Sequence, residues 1–206
     1  MAIRLWAARL DRPMTGPETE ELLEFLPEMR KERLLAVTDR SRWAEPLAAY
    51  GLLQLALFQN FGMQKIPAIK TGTKGKPIFP AYPTLCFSLS HTRGAVLVGL
   101  SDSPVGVDIE QLRPVTGRVR RRLEAAGVAE EDYFQNWVRY EAAVKRSGAG
   151  ISPHPQAGVG EAAQLVELYP DYRAAAAGDG PVEVCGRETV DSLLEGLRNI
   201  GTITGR

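Results

Sequence analysis

The chain of 206 residues has two cysteines and two histidines, no surplus of charge of either sign, and no long apolar run. Cys86 and Cys185 stand far apart and outside any CxxC pair. That spacing suggests neither a disulfide framework nor a thiolate metal site, and both are expected to be reduced core residues. Lys and Arg number 25 against 25 Asp and Glu, so general attraction to nucleic acid or anionic membrane is not indicated. The N-terminal MAIRLWAARL is broken by Arg4 and Arg9, which denies it the apolar centre of a secretory signal. No stretch approaches the roughly 20 apolar residues of a membrane span. A soluble, cytoplasmic protein is expected.

Hydrophobic residues make up 44%, enough for one large domain or two small ones. Apolar periodicity predicts a strand over Ile3 to Arg9 and a helix over Pro17 to Ala36. A long amphipathic helix over Arg42 to Phe61, capped by Ser41, comes next. Lys70 to Pro83, rich in Gly, Pro, Lys and Thr, reads as loop. Strands are expected at Leu85 to Ser90, Ala95 to Leu100 and Val105 to Glu110, then helices at Val119 to Ala126 and Glu130 to Ser147. After a loop over Gly148 to Gly160 come short strands at 165–168, 172–177 and 182–185 and a closing helix at 189–200. The pattern suggests an α+β fold in two halves, 1–104 and 105–206, with a site at the seam.

Five short motifs carry chemistry. Gly106-Val107-Asp108-Ile109-Glu110 places two carboxylates on one face of a strand. Such a pair resists ionisation unless a cation lies between, and oxygen-only ligands suit Mg²⁺. Gly75-Lys76-Pro77 offers a cation beside a rigid turn. Phe87-Ser88-Leu89-Ser90-His91-Thr92 ends a strand with hydroxyl and imidazole donors suited to phosphate. Trp137, Glu141 and Lys145 share one face of a helix, which Gly148-Ala149-Gly150 terminates. His154, between two prolines, is read as structural. Arg30, Lys31, Arg33, Arg40 and Arg42 form one basic run, and Arg113 to Arg122 holds five more arginines.

Taken in order, GKP, FSLSHT, GVDIE, WxxxExxxK and GxG resemble the 4′-phosphopantetheinyl transferase superfamily, over roughly Arg30 to Ile151 and more loosely to the C-terminus. The likeness is to the larger, pseudo-dimeric class, which implies a monomer of two similar halves, each a small antiparallel sheet packed with a long helix. It implies transfer of the phosphopantetheine arm of coenzyme A to a serine of an acyl or peptidyl carrier protein, with release of 3′,5′-ADP. By the same resemblance Asp108, Glu110 and Glu141 hold Mg²⁺, and Glu141 is also the base. Lys145 stabilises the pyrophosphate, Ser90 and His91 bind phosphates, Lys76 and Pro77 flank the adenine, and Arg30, Arg33 and Arg42 receive the 3′-phosphate.

Three departures stand out. Tyr140 occupies the place where the family usually has Lys before the catalytic Glu, with Arg139 before it as a substitute cation. The segment between Glu110 and Trp137 is short, and offers Arg118, Arg120, Arg121 and Arg122 to an acidic carrier helix. Ser152-Pro153-His154-Pro155 matches weakly. Two other readings are a non-catalytic coenzyme A or nucleotide-binding protein and a Mg²⁺-dependent nucleotide pyrophosphatase.

Overall fold

The computed structural model describes residues 2–72, 75–115, 117–125, 127, 132–148, 150 and 162–203, without the side chains of 118, 119, 122, 123 and 201–203. Strand β1 (Ile3–Arg9) leads into two helices, α1 (Gly16–Leu23) and α2 (Glu28–Leu35), where the sequence pattern suggested one. Pro27 makes the break: it takes an extended conformation as the N-cap of α2, and proline disfavours helical backbone in the residue before it. Thr15 starts α1 with a reciprocal capping box to Glu18.

Helix α3 (Ala44–Phe61) begins later than expected. Asp39, not Ser41, caps the preceding 3-10 turn, its carboxylate accepting from the Ser41 N–H. Leu47, Leu52, Leu53 and Leu57 of α3 are fully buried, each contributing roughly 1.5–3 kcal/mol of transfer free energy. Gly62, at φ 67°, ends the helix in the left-handed conformation that glycine adopts without strain. The expected loop at 70–83 contains a minimal hairpin, β2 (Lys70–Thr71) with β3 (Pro77–Ile78).

The sequence continues through β4 (Cys86–Thr92), β5 (Ala95–Ser101), β6 (Gly106–Gln111), α4 (Gly117–Ala125) and α5 (Tyr133–Ser147). It closes with β7 (Gln164–Val166), β8 (Tyr172–Ala177), β9 (Val182–Glu188) and α6 (Val190–Ile203). The fold is α+β. One sheet has the order β4-β5-β1-β9, a second β6-β8-β7. The first is antiparallel except that β9 runs parallel to β1. The chain thus returns to its start: β9 extends the first sheet, and Leu193, Leu194 and Leu197 of α6 join the core built on α3. Cys86 is partly buried and Cys185 exposed, both as free thiols, so Cys185 is not the core residue expected. It sits on the edge strand β9, exposed together with Glu183 and Val184.

Helix α5 lies unusually close to the second sheet. Val138 and Ala142 pack on Ala175 and Ala177, and a Cβ on Gly106 would come within 2.0 Å of the Ala142 carbonyl oxygen. Only glycine fits there. The alanine run of β8 and this glycine together bring the α5 backbone down onto β6.

Candidate active site

Close approach of α5 to β6 sets the acids. Asp108, 2% exposed, lies on β6 while Val107 and Ile109 point the other way into the core between the sheets. From α5, Lys145 donates to Asp108 Oδ1 at 2.6 Å and lies 3.7 Å from Glu141 Oε2. Ser90 Oγ donates to the same Asp108 oxygen at 2.7 Å. Glu110 has partners of its own: its Oε2 accepts from Arg113 at 2.9 Å and from Thr92 at 3.2 Å. Arg113 in turn lies over the Phe134 ring.

These contacts leave an electrostatic imbalance. Burial pushes the Asp108 carboxyl up from its ordinary value, with Glu110 reinforcing, against Lys145 and Ser90. Burial, then the Asp108 and Glu110 charges, raise Glu141 to about 7, Lys145 opposing. Asp108 Oδ2 is buried with no partner among the described residues, a costly state for a carboxylate oxygen.

Next to the acids opens a cavity of about 510 Å³, within the range of small-molecule sites. Arg30, Arg33, Lys76, Pro77, His91 and Lys145 line it, along with Leu26, Leu34, Tyr50 and Phe87. Six of the residues singled out in the sequence therefore meet in one space. Arg42 and Ser90 do not line it. Arg42 is exposed on the 3-10 turn, and Ser90 is buried against Asp108. His91 is exposed at the mouth, yet the surrounding walls lower its pKa by desolvation, Glu45 opposing and Lys145 adding to the fall. Lys76 donates to the Val105 and Arg146 carbonyls at 2.8 and 2.9 Å, tying the GKP loop to the start of β6 and the last turn of α5. Burial lowers the Lys76 ammonium.

Arg139, the cation nearest position 140 in the sequence, points elsewhere on the helix than Glu141. Two residues before Glu141, it lies about 200° round the helix from it, and its Nε is buried without a partner among the described residues. Tyr140 is buried, its ring 5.9 Å from that of Trp137. Ala149, Ile151 and the Ser152–Pro155 segment with His154 lie outside the described residues. Sequence reasoning missed Gly106 as a steric requirement, Arg113 as the partner of Glu110, and Thr92. The last had a legible signal, hydroxyls at 88, 90 and 92 on one strand face.

No family model matches the chain. The 4′-phosphopantetheinyl transferase AcpT of Escherichia coli O157:H7 is 31% identical over 167 residues, 73% of this chain and 74% of that protein. The chain belongs to the 4′-phosphopantetheinyl transferase family. The 4′-phosphopantetheinyl transferase Sfp of Bacillus subtilis (strain 168) is 24% identical over 162 residues, covering 73% and 72% of the two chains. The protein is an enzyme of this type.

For a phosphopantetheinyl transferase the acids pose a question of fit. Among the described residues, no three metal-ligating side chains are gathered closely enough to grip an ion as they stand. Lys145 occupies the space between Asp108 and Glu141. The donor chemistry nevertheless suits a hard divalent cation: oxygen ligands only, an orphaned buried carboxylate oxygen, and a glutamate raised by its neighbours' charge.

Proposed function

We propose that this transferase moves the 4′-phosphopantetheine group of coenzyme A onto a serine hydroxyl of an acyl or peptidyl carrier protein, in the cytoplasm, in a Mg²⁺-dependent reaction releasing 3′,5′-ADP. One observation carries the proposal. Lys145 both lines the cationic cavity and bonds Asp108, so the phosphate-binding space and the acids share a residue.

In this reading residues 1–104 supply the coenzyme A-binding loops, and residues 105–206 supply the acids and the catalytic helix. The two sheet-and-helix units are taken as related halves of a pseudo-dimeric monomer. Arg30 and Arg33 hold the 3′-phosphate at the exposed end of the cavity, where guanidinium forks suit a phosphate dianion. Pro77 and the stem of Lys76 border the adenine. His91 donates to a phosphate oxygen. Asp108, Glu110 and Glu141 are the residues that would hold Mg²⁺, which neutralises pyrophosphate charge when bound.

The reaction forms a bond from the serine oxygen to the β-phosphorus and breaks the bond to the bridging oxygen of 3′,5′-ADP. Lys145 offsets the negative charge gathering on the phosphates. Glu141, on α5 beside Asp108 and Lys145, is the carboxylate that would accept the serine proton. Arg120 and Arg121, exposed on α4, suit an acidic carrier helix; the side chains of Arg118 and Arg122 lie outside those described.

Intact-mass spectrometry of an apo carrier protein mixed with coenzyme A, Mg²⁺ and this enzyme tests the proposal. The carrier is expected to gain the mass of one phosphopantetheine arm. Free phosphopantetheine without carrier labelling would mean hydrolysis instead. Coenzyme A binding with neither product would leave only a binding role.

A further inference from the structure

The two sheets meet edge to edge at β4 and β6, and hydroxyl groups bridge them. Ser88 Oγ accepts from the Val107 N–H at 3.1 Å, Ser90 Oγ from Ile109 at 3.3 Å, and Thr92 Oγ1 from Gln111 at 3.4 Å. The spacing of two residues on each strand gives a regular series in which side chains of one strand serve the backbone of the other. Two members do more. Ser90 donates to Asp108 Oδ1 at 2.7 Å, and Thr92 donates to Glu110 Oε2 at 3.2 Å. Each of these hydroxyls thus grips an acid by its carboxylate and by the N–H of the residue after it. Ser88 stands at the same position relative to Gly106, which has no side chain to grip.

We infer that Ser90 and Thr92 are positioning residues that fix the Asp108 and Glu110 carboxylates for a divalent cation. This rests on the reading of those acids as metal-holding. A serine hydroxyl has one hydrogen and two lone pairs. The hydrogen of Ser90 goes to Asp108, while its lone pairs take the Ile109 N–H and, at 2.9 Å, the Lys145 ammonium. The hydroxyl is thereby committed to the acid seam. Groups that orient ligand carboxylates govern metal affinity through the geometry they impose.

The test is Mn²⁺ titration of the full chain, with free Mn²⁺ read by electron paramagnetic resonance and melting temperature recorded alongside. Ser90→Ala and Thr92→Val are expected to weaken Mn²⁺ binding about tenfold or more. Thr92→Ser, which keeps the hydroxyl, stays within about twofold of wild type by the same reasoning. Ser88→Ala removes an equivalent seam contact without touching an acid, so it lowers the melting temperature while leaving Mn²⁺ affinity in place. Unchanged affinity in Ser90→Ala and Thr92→Val, with wild type binding normally, overturns the inference alone. Equal weakening by Ser88→Ala also overturns it, since the hydroxyls would then act only by joining the sheets. Failure of the wild-type chain to take up Mn²⁺ would remove the metal reading itself, and this inference with it.

Discussion

The acid seam and the cationic cavity adjoin, but they are built on opposite principles. At the seam every group is constrained: Asp108 is buried, Ser90 and Lys145 bond it, and Gly106 lets α5 come down upon it. In the cavity, Arg30 and Arg33 are exposed and reach in from a short helix that Pro27 sets apart. The first region depends on backbone approach that few substitutions tolerate. The second depends on charge that neighbouring side chains can supply. In the proposed reaction, chemistry that needs fixed oxygens is placed on packed strands, and affinity for a highly charged substrate is left to the surface.

The largest contrast should come from Gly106→Ala. Its Cβ would meet the α5 backbone at 2.0 Å from Ala142 O and 2.3 Å from Arg146 N, and neither atom can swing aside as a side-chain tip would. A loss of about 3 kcal/mol or more is expected in urea unfolding, at the upper end for overpacking. A wild-type midpoint would mean that α5 does not rest on β6. That glycine shows where sequence reasoning stopped. The DxE strand and the helix motif were legible because period-2 and period-3.6 patterns place Asp108, Glu110, Glu141 and Lys145 without knowledge of the tertiary fold. The closeness of the two elements was not legible, since it follows from what Gly106 lacks and from alanines in β8, far along the chain. The α1–α2 break was within reach through Pro27. The return of β9 to β1 was not, because parallel pairing across nearly the whole chain leaves no local mark.

Removing the seam's cation comes next. Lys145→Met would leave Asp108 buried beside Glu141 without a counter-charge, and breaking a buried pair in this way costs about 3–5 kcal/mol. The double variant Lys145→Met/Asp108→Asn should recover most of that loss in a thermal or urea melt, since it removes the orphaned charge too. If the double variant were no more stable than the single, the ammonium would be acting through packing of its stem and not through Asp108.

A smaller effect separates the regions by pH. Glu141 titrates near 7 in the folded protein, raised from 4.5. Between those values the folded state holds a proton that the unfolded state has released. The stability contributed by this group is therefore complete below about pH 4.5 and falls as pH rises toward 7, at no more than about 1.4 kcal/mol per unit for one proton. Metal-free protein should melt lower at pH 7.5 than at pH 5.5, and Glu141→Gln should flatten that difference. Saturating Mg²⁺ should do the same for the unaltered chain. A slope that survives Glu141→Gln would assign the proton to another group.

The gentlest comparison lies within the basic run itself, where the sequence offers Arg30, Arg33 and Arg42 alike. Only the first two line the cavity. A charged hydrogen bond to phosphate is worth about 1.5–3 kcal/mol, so Arg33→Ala should raise the KM for coenzyme A roughly tenfold and leave kcat nearly unchanged, the mark of uniform binding. With 3′-dephospho-coenzyme A as donor, Arg33→Ala and the parent enzyme should behave alike, because the group that Arg33 recognises is gone. Arg42→Ala should alter neither donor's KM by more than about twofold, as expected of an exposed charge that does not line the cavity. A tenfold rise with Arg42→Ala, and none with Arg33→Ala, would move the 3′-phosphate out of the cavity and onto the 3-10 turn before α3.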